Sequence, residues 1–266
     1  MPIAFVIAVE PANAAPLPNA LGECIHAAFF SMLDVISPQL AREMHGIEAR
    51  KPFTLSSLYD RRNERTRSIL TGLRVTLLDD ALFPLILDAL LSYPEVRRLR
   101  IGEADWTATE VYTSPQSHSL AAGASYADLV EAAEPVARLS VRFHSPTVFR
   151  SQKRDVVWPE PRLVWQSWAR AWQDFSDTPL PDEAQIAAWV QEVAVAEHRI
   201  ETNRIRLIES VQSGFVGRCT YDLTSLSLDA QRTLTTLADF ASYSGTGRKT
   251  TLGLGQTSRS KSERRA

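Results

Sequence analysis

The residues of this sequence that could do chemistry fall into two groups. One is the histidines, five in all, because imidazole exchanges a proton near neutral pH. His45 has the most suggestive setting, directly before Gly46 at the expected end of a short helix. The negative end of a helix dipole suits an acid there, although on local grounds a polar cap with no chemical role is the plainer reading. The other group is YSGTGRKTTLGLGQT, residues 243–257, where Gly245, Gly247, Gly253 and Gly255 bracket Arg248 and Lys249. Glycine lets backbone N–H groups approach a phosphate closely, and the two cations supply charge.

A nucleotide-binding P-loop would need G-x-x-x-x-G-K-[ST] opening a helix. Here Gly247 is followed by Arg248, and Ser242 stands where the first glycine should be. The loop also follows a helix and enters a strand, the reverse of P-loop and Rossmann order. The phosphate expected here is therefore that of a polynucleotide backbone, although a plain turn is the alternative on local grounds.

Bulk properties agree with a globular protein that meets a polyanion on one face. The chain has 266 residues, 44% hydrophobic and 23% charged, with a formal net charge of −2. From Arg248 to Ala266 there are six basic residues and one acid. RRNERTR (61–67), RRLR (97–100) and RSQKR (150–154) are further basic clusters, of a kind that also occurs as plain solvated surface. Cys24 and Cys219 lie too far apart in sequence to suggest a disulfide framework, which fits a reducing cytoplasm. The opening MPIAFVIAVEPANAAP has no Lys or Arg, so it reads as a buried strand rather than a signal peptide. No apolar run approaches the roughly 20 residues that span a bilayer. No close set of His, Asp, Glu or Cys has ligand spacing, so neither a metal nor a cofactor is expected.

The elements that must position these groups follow from periodicity. In the first half, 3–9 reads as a strand and 19–36 as a helix with Ile25, Phe29, Met32, Leu33 and Ile36 at helical spacing. Ser37–Pro38 caps and opens the short helix that stops at His45–Gly46. Strands at 53–59 and 68–77, a helix at 79–92, and strands at 96–101 and 106–113 follow. Residues 114–125 have linker composition. In the second half, Leu139, Val141 and Phe143 alternate with Arg138, Ser140, Arg142 and His144, giving a strand with one apolar and one polar face. A tryptophan-rich helix, strands at 204–209 and 215–223, a helix at 228–243 and a last strand at 251–256 complete it. Two consecutive βαββαβ units predict an α+β chain of two tandem ferredoxin-like, RRM-like domains. The expected boundaries are 1–125, 126–257 and a basic disordered tail, 258–266.

Several segments, in this order, resemble the CRISPR-associated endoribonucleases of the RAMP superfamily that cut precursor CRISPR RNA. ISPQLAREMHGIEARKPFTLSSL (36–58) is similar to that family's segment bearing the catalytic histidine. FHSPTVFR (143–150) with WPEPRLVWQSWARAW resembles its central segment. GFVGRCTYDL (214–223) and LADFASYSGTGRKTTLGLGQ resemble its C-terminal signature. The resemblance implies tandem ferredoxin-like domains and metal-independent cleavage. In that reaction a ribose 2′-OH attacks the adjacent phosphate, leaving a 2′,3′-cyclic phosphate and a 5′-OH.

The resemblance assigns His45 as general acid to the leaving 5′-oxygen and Lys51 to the transition-state charge. One branch of the family adds a tyrosine on the first helix, where this chain has Phe30. A phenyl ring exchanges no proton, and His26, one helical turn away, is the natural substitute; Ser37 and Tyr59 are remoter ones. Arg142, His144, Arg150, Lys153 and Arg154, with the glycine loop, are read as RNA contacts, and Trp158 as a candidate base-stacking platform. His118 and His198, the latter placed on a helix, receive no role. The partner implied is CRISPR repeat RNA, with other Cas proteins of an effector complex and a homodimer left open. A non-catalytic RNA-binding subunit of a CRISPR ribonucleoprotein is the alternative.

Overall fold

The structure, a computed structural model, describes residues 1–13, 16–60 and 69–260. The RRNERTR cluster and residues 261–266 lie outside the described residues. The chain divides into two compact units. The first is Met1–Gly123, with which Arg206–Ser210 and Thr251–Gly253 group; the second holds the remainder.

In the first unit, β1 (Ile3–Pro11) is apolar almost throughout and takes the middle of the sheet. It is followed by α1 (Leu21–Ile36), α2 (Pro38–Gly46), β2 (Phe53–Asp60), β3 (Ile69–Leu77), α3 (Phe83–Ser92), β4 (Arg98–Ile101), β5 (Ala104–Tyr112) and β6 (Ala122–Gly123). The strand order is β2-β3-β1-β5-β4, with β6 added beside β1. β1 runs antiparallel to both β3 and β5. This is the ferredoxin-like arrangement, with β5 in the place of the fourth strand. α1 buries Ile25, Phe29, Met32 and Leu33, a stripe at i, i+4, i+7 and i+8 that covers the sheet. Ser37 ends one helix and starts the next. Its N–H donates to the Leu33 carbonyl at 2.8 Å, and its hydroxyl accepts from the Leu40 N–H at 3.3 Å. With Pro38 at the first helical position, the chain turns sharply between α1 and α2.

The second unit repeats the plan. α4 (Tyr126–Glu131) leads into β7 (Arg138–Thr147), a hairpin of β8 (Phe149–Ser151) and β9 (Arg154–Val156), then α5 (Pro161–Phe175) and α6 (Glu183–Val190). β10 (Ala194–Arg206), β11 (Val211–Asp222), α7 (Leu228–Ser244) and β12 (Thr257–Ser260) complete it. The strand order is β10-β11-β7-β12, the same order as in the first unit. In β7, Leu139, Val141 and Phe143 are buried while Arg138, Arg142 and His144 are exposed, as the alternation predicts. α5 sinks Trp165, Trp168 and Trp172 into the core. Each indole N–H has a partner: the Leu234 carbonyl at 3.1 Å, the Thr246 hydroxyl at 2.8 Å and the Thr178 carbonyl at 2.9 Å. The tryptophans therefore tie α5 to α7 and to the glycine loop after it.

Several expectations are corrected. The last strand is Thr257–Ser260, not 251–256; Thr250–Leu252 is a 3-10 turn instead. So 258–260 are not tail. Ser258 pairs with Arg142, and the Arg259 Nε donates to the Asp239 carboxylate on α7 at 2.6 Å. TSRS carries no apolar alternation, so nothing local marks it as a strand. The linker ends in β6, which pairs with Ile3 and Ala4. The β10 strand begins at Ala194, ten residues before the expected start, and carries His198, which is not helical. Its residues are nearly all exposed or half-buried, so no buried face imposes a period of two. Both cysteines are free. Among the described residues, no helix is long and apolar enough to cross a membrane.

Replacing Trp168 with Phe would remove the N–H bonded to the buried Thr246 hydroxyl. The expected cost is about 1–3 kcal/mol, read as a lower urea midpoint at unchanged slope.

Candidate active site and nucleic-acid interface

In the first unit the structure brings His26, Phe30, His45 and Lys51 together. His26 and Phe30 sit one turn apart on α1, at the edge of its buried stripe, and are half-buried. Their ring centroids are 4.8 Å apart. His45, exposed on the last turn of α2, meets the Phe30 ring edge-on at 5.4 Å. The phenyl ring thus lies against both imidazoles, and Phe53 backs it at 5.9 Å. The α1–α2 turn at Ser37 is what folds the two helices so that this contact forms.

Lys51 occupies a different position from the one its assigned role suggests. Its ammonium donates to the carbonyls of Met44 at 2.7 Å, His45 at 3.1 Å and Ile47 at 3.2 Å. These oxygens close α2, and the last carbonyls of a helix otherwise lack partners. An ammonium has three donors, so Lys51 is committed to holding the turn that carries His45. It also lies 5.8 Å from the Phe30 centroid. Burial lowers the Lys51 pKa below its ordinary value. The His26 pKa is also lowered, first by burial and then by the charges of Lys51 and His45, against a smaller opposing effect of Glu23. The His26 imidazole is therefore held in its neutral form near neutral pH. Tyr59 is exposed on β2 and accepts a hydrogen bond from the Ser57 hydroxyl at 3.1 Å.

The second unit holds the remaining predicted contacts except Gly253. The glycine loop is bonded mainly to its own fold. Gly245 caps α7, its N–H donating to the Ala241 carbonyl at 3.0 Å. The amides of Thr246, Arg248 and Gly255 donate to the carbonyls of Gly255 (2.8 Å), Val148 (3.0 Å) and Pro146 (3.1 Å). Those of Gly247 and Gln256 donate to the hydroxyls of Ser167 (2.9 Å) and Ser145 (2.8 Å). A Cβ on Gly247 would lie 2.4 Å from the Val148 oxygen, and one on Gly255 would lie 2.1 Å from the Thr246 oxygen. Both residues also have positive φ, at 79° and 70°. Their glycines serve this close threading against the SPTVFR segment. Most of the amides first assigned to phosphate are therefore occupied, leaving the Arg248 and Lys249 side chains as the loop's cationic groups. Gly253 stands apart in the 251–253 segment, with φ 83°.

Nearby segments of the same unit add charge. The β8–β9 hairpin turns through Gln152 and Lys153, both with positive φ (47° and 66°). That is the mirror-image turn that suits a two-residue hairpin, made here without glycine. Arg150, Lys153 and Arg154 surround this tip. On the open sheet face, Arg142 stands directly opposite Arg218 across β7 and β11. Like charges in that position repel, and among the described residues neither is in an ion pair. Sequence reasoning missed Arg218, although its alternation with buried Cys219 was available. His144 shares a 2.8 Å hydrogen bond with the Ser258 hydroxyl. Trp158 meets His198 edge-on at 4.9 Å and is 37% exposed.

The fold and site define an α+β chain of two tandem ferredoxin-like units, one with paired histidines and one with a basic loop. Comparison with known proteins agrees. The CRISPR Cas6 N-terminal domain family matches residues 1–131, and the CRISPR-associated endoribonuclease Cas6 family matches 141–257. A solved Cas6 product complex is 32% identical over 98% of this chain and 100% of that one, with a TM-score of 0.85. A Thermus thermophilus Cas6 structure is also 32% identical, covering 98% of each chain, with a TM-score of 0.79. The CRISPR-associated endoribonuclease Cas6 of Mycobacterium tuberculosis is 29% identical over 150 residues, 56% of this chain and 48% of that protein. The alignment thus spans about half the length of the curated relatives. The chain belongs to the Cas6 family of CRISPR-associated endoribonucleases.

A lowered His26 pKa has a defined consequence for stability. The unfolded chain binds this proton more readily than the folded one, so stability is full above the ordinary value of 6.5 and falls as pH drops below it. Urea titrations from pH 7.5 to 5 should show a steeper loss in the native protein than in His26→Gln.

Proposed function

We propose that this chain cleaves CRISPR repeat RNA within precursor CRISPR RNA, by attack of the substrate's own 2′-OH. The observation that carries this reading is the meeting of His26 and His45 on Phe30 in a member of the Cas6 family. His26, neutral near pH 7, accepts the 2′-OH proton as the O2′–P bond forms. His45 donates a proton to the 5′-oxygen as the P–O5′ bond breaks. The products are a 2′,3′-cyclic phosphate and a 5′-OH. Because the substrate supplies the nucleophile, the reaction calls for no metal. Lys51 contributes by fixing the α2 terminus and placing positive charge beside the imidazoles. The first unit carries the cut. In the second, Arg248, Lys249, the hairpin and the Arg142–Arg218 face, with His144, hold the RNA backbone.

Phe30 in place of tyrosine favours the second reading, an RNA-binding subunit without catalysis. Incubation with the host's repeat RNA in EDTA, followed by end-group analysis, separates the two. Cleavage to cyclic phosphate and 5′-OH ends, undiminished by EDTA, is the expected result. His45→Ala and His26→Ala should each slow it by about a hundred- to ten-thousand-fold while RNA affinity survives. Tight binding of RNA that stays intact would favour the subunit instead.

The sheet face makes a separate prediction. Arg142→Ser with Arg218→Ser should weaken RNA binding and flatten its salt dependence, the slope falling by roughly 0.7–0.9 for each phosphate no longer neutralised. The same pair of changes should leave the unfolding midpoint equal or higher, since it removes a cross-strand repulsion.

A further inference from the structure

One carboxylate of the second unit, that of Asp155, is shared by cations of the β8–β9 hairpin and the glycine loop. Asp155 on β9 stands directly opposite Arg150 on β8. Its Oδ1 accepts from Arg150 Nη1 at 2.8 Å and lies 3.6 Å from Arg248 Nη1. Its Oδ2 accepts from Gln212 Nε2 at 3.0 Å. Gln212 belongs to β11 and is held in turn by the Ser213 carbonyl at 3.1 Å. Four segments thus converge on one side chain: both hairpin strands, the glycine loop and β11. The hydrogen bonds of Gln212 and Arg150 hold the Asp155 carboxyl below its ordinary pKa, so it is charged at neutral pH.

On a surface that meets a polyanion, an acid subtracts attraction. Its geometry gives a reason to keep it. Arg150 and Arg248 use one edge of each guanidinium on Asp155, yet their side chains remain 49% and 45% exposed. A guanidinium has five N–H donors, so the outer edges are available to a phosphate. The strained Gln152–Lys153 turn, left-handed at two non-glycine residues, also needs flanking support. The Arg150–Asp155 pair closes its base.

We propose that Asp155 is a positioning residue for RNA binding, which sets Arg150, Arg248 and the Lys153–Arg154 tip at a fixed spacing for backbone phosphates. This rests on the reading of the loop and hairpin as RNA contacts. It makes a prediction opposite in sign to charge counting: deleting the acid weakens binding. The other outcome, tighter binding from a more positive surface, is what an incidental acid would give.

The experiment measures affinity of the full chain for a repeat-sequence RNA oligonucleotide across a salt series. It compares native protein, Asp155→Ala, Asp155→Asn, Arg248→Ala and the Asp155→Ala/Arg248→Ala double variant, each checked by thermal unfolding. Asp155→Ala is expected to bind about three- to tenfold more weakly. Asp155→Asn keeps an oxygen acceptor for Arg150 and should recover part of the loss, which also covers the case in which the alanine variant fails to fold. Arg248→Ala should cost less in the Asp155→Ala background than in the native one. Unchanged or tighter binding of Asp155→Ala, or full additivity, would overturn the positioning role alone. Native affinity in Arg248→Ala would take away the loop contact and the positioning role together.

Discussion

The second unit is organised by one seam of close backbone contact. The glycine loop lies so near the Ser145–Phe149 stretch that its amides bond to Pro146 and Val148 carbonyls. A single Cβ at Gly247 would collide with backbone. Backbone cannot move aside as a long side chain can, so the seam tolerates only glycine there. Much else is placed by it. It sets the exit of α7 and the entry of β12, holds Thr246 under the Trp168 indole, and brings Arg248 to the β8–β9 hairpin. Amides of GTGRKTTLGLGQ donate to carbonyls and a hydroxyl of SPTVFR, so each segment holds the other in place.

The first unit answers a different constraint. A histidine on the last turn of a short helix is useful only if that turn is held still. Ser37 fixes the start of α2 and Lys51 fixes its end through three carbonyls. Between them, His45 is carried to the Phe30 ring. Phe30 cannot take part in proton transfer, yet it separates and orients the two imidazoles. Burying part of His26 near positive charge depresses its pKa, which keeps the imidazole neutral near pH 7.

Much of this was legible in the sequence, for identifiable reasons. The α1 stripe, the Ser37–Pro38 cap and the alternation in β7 are short-range signals, written in residue types at fixed spacing. Elements without such signals were misread. TSRS has no apolar period, and β10 has no buried face, so neither carries a pattern. The β8–β9 hairpin turns without glycine or asparagine. Arg218 was readable from its alternation with Cys219, but its meaning appears only once it faces Arg142.

The sequence by itself determined the order of α1, α2, α3, α5 and α7 and of the main sheet strands, the tandem ferredoxin-like plan, the candidate histidines and the basic loop. Tertiary structure decided what those groups are free to do. It placed His26 and His45 on one phenyl ring, committed the Lys51 ammonium to the end of α2, and occupied most of the loop amides that composition had offered to phosphate. It also gathered Arg150, Arg248 and Gln212 on Asp155. The physical reason is that periodicity records which face of an element is buried. A hydrogen-bond donor's partner depends on which distant backbone folds against it, and no local pattern encodes that.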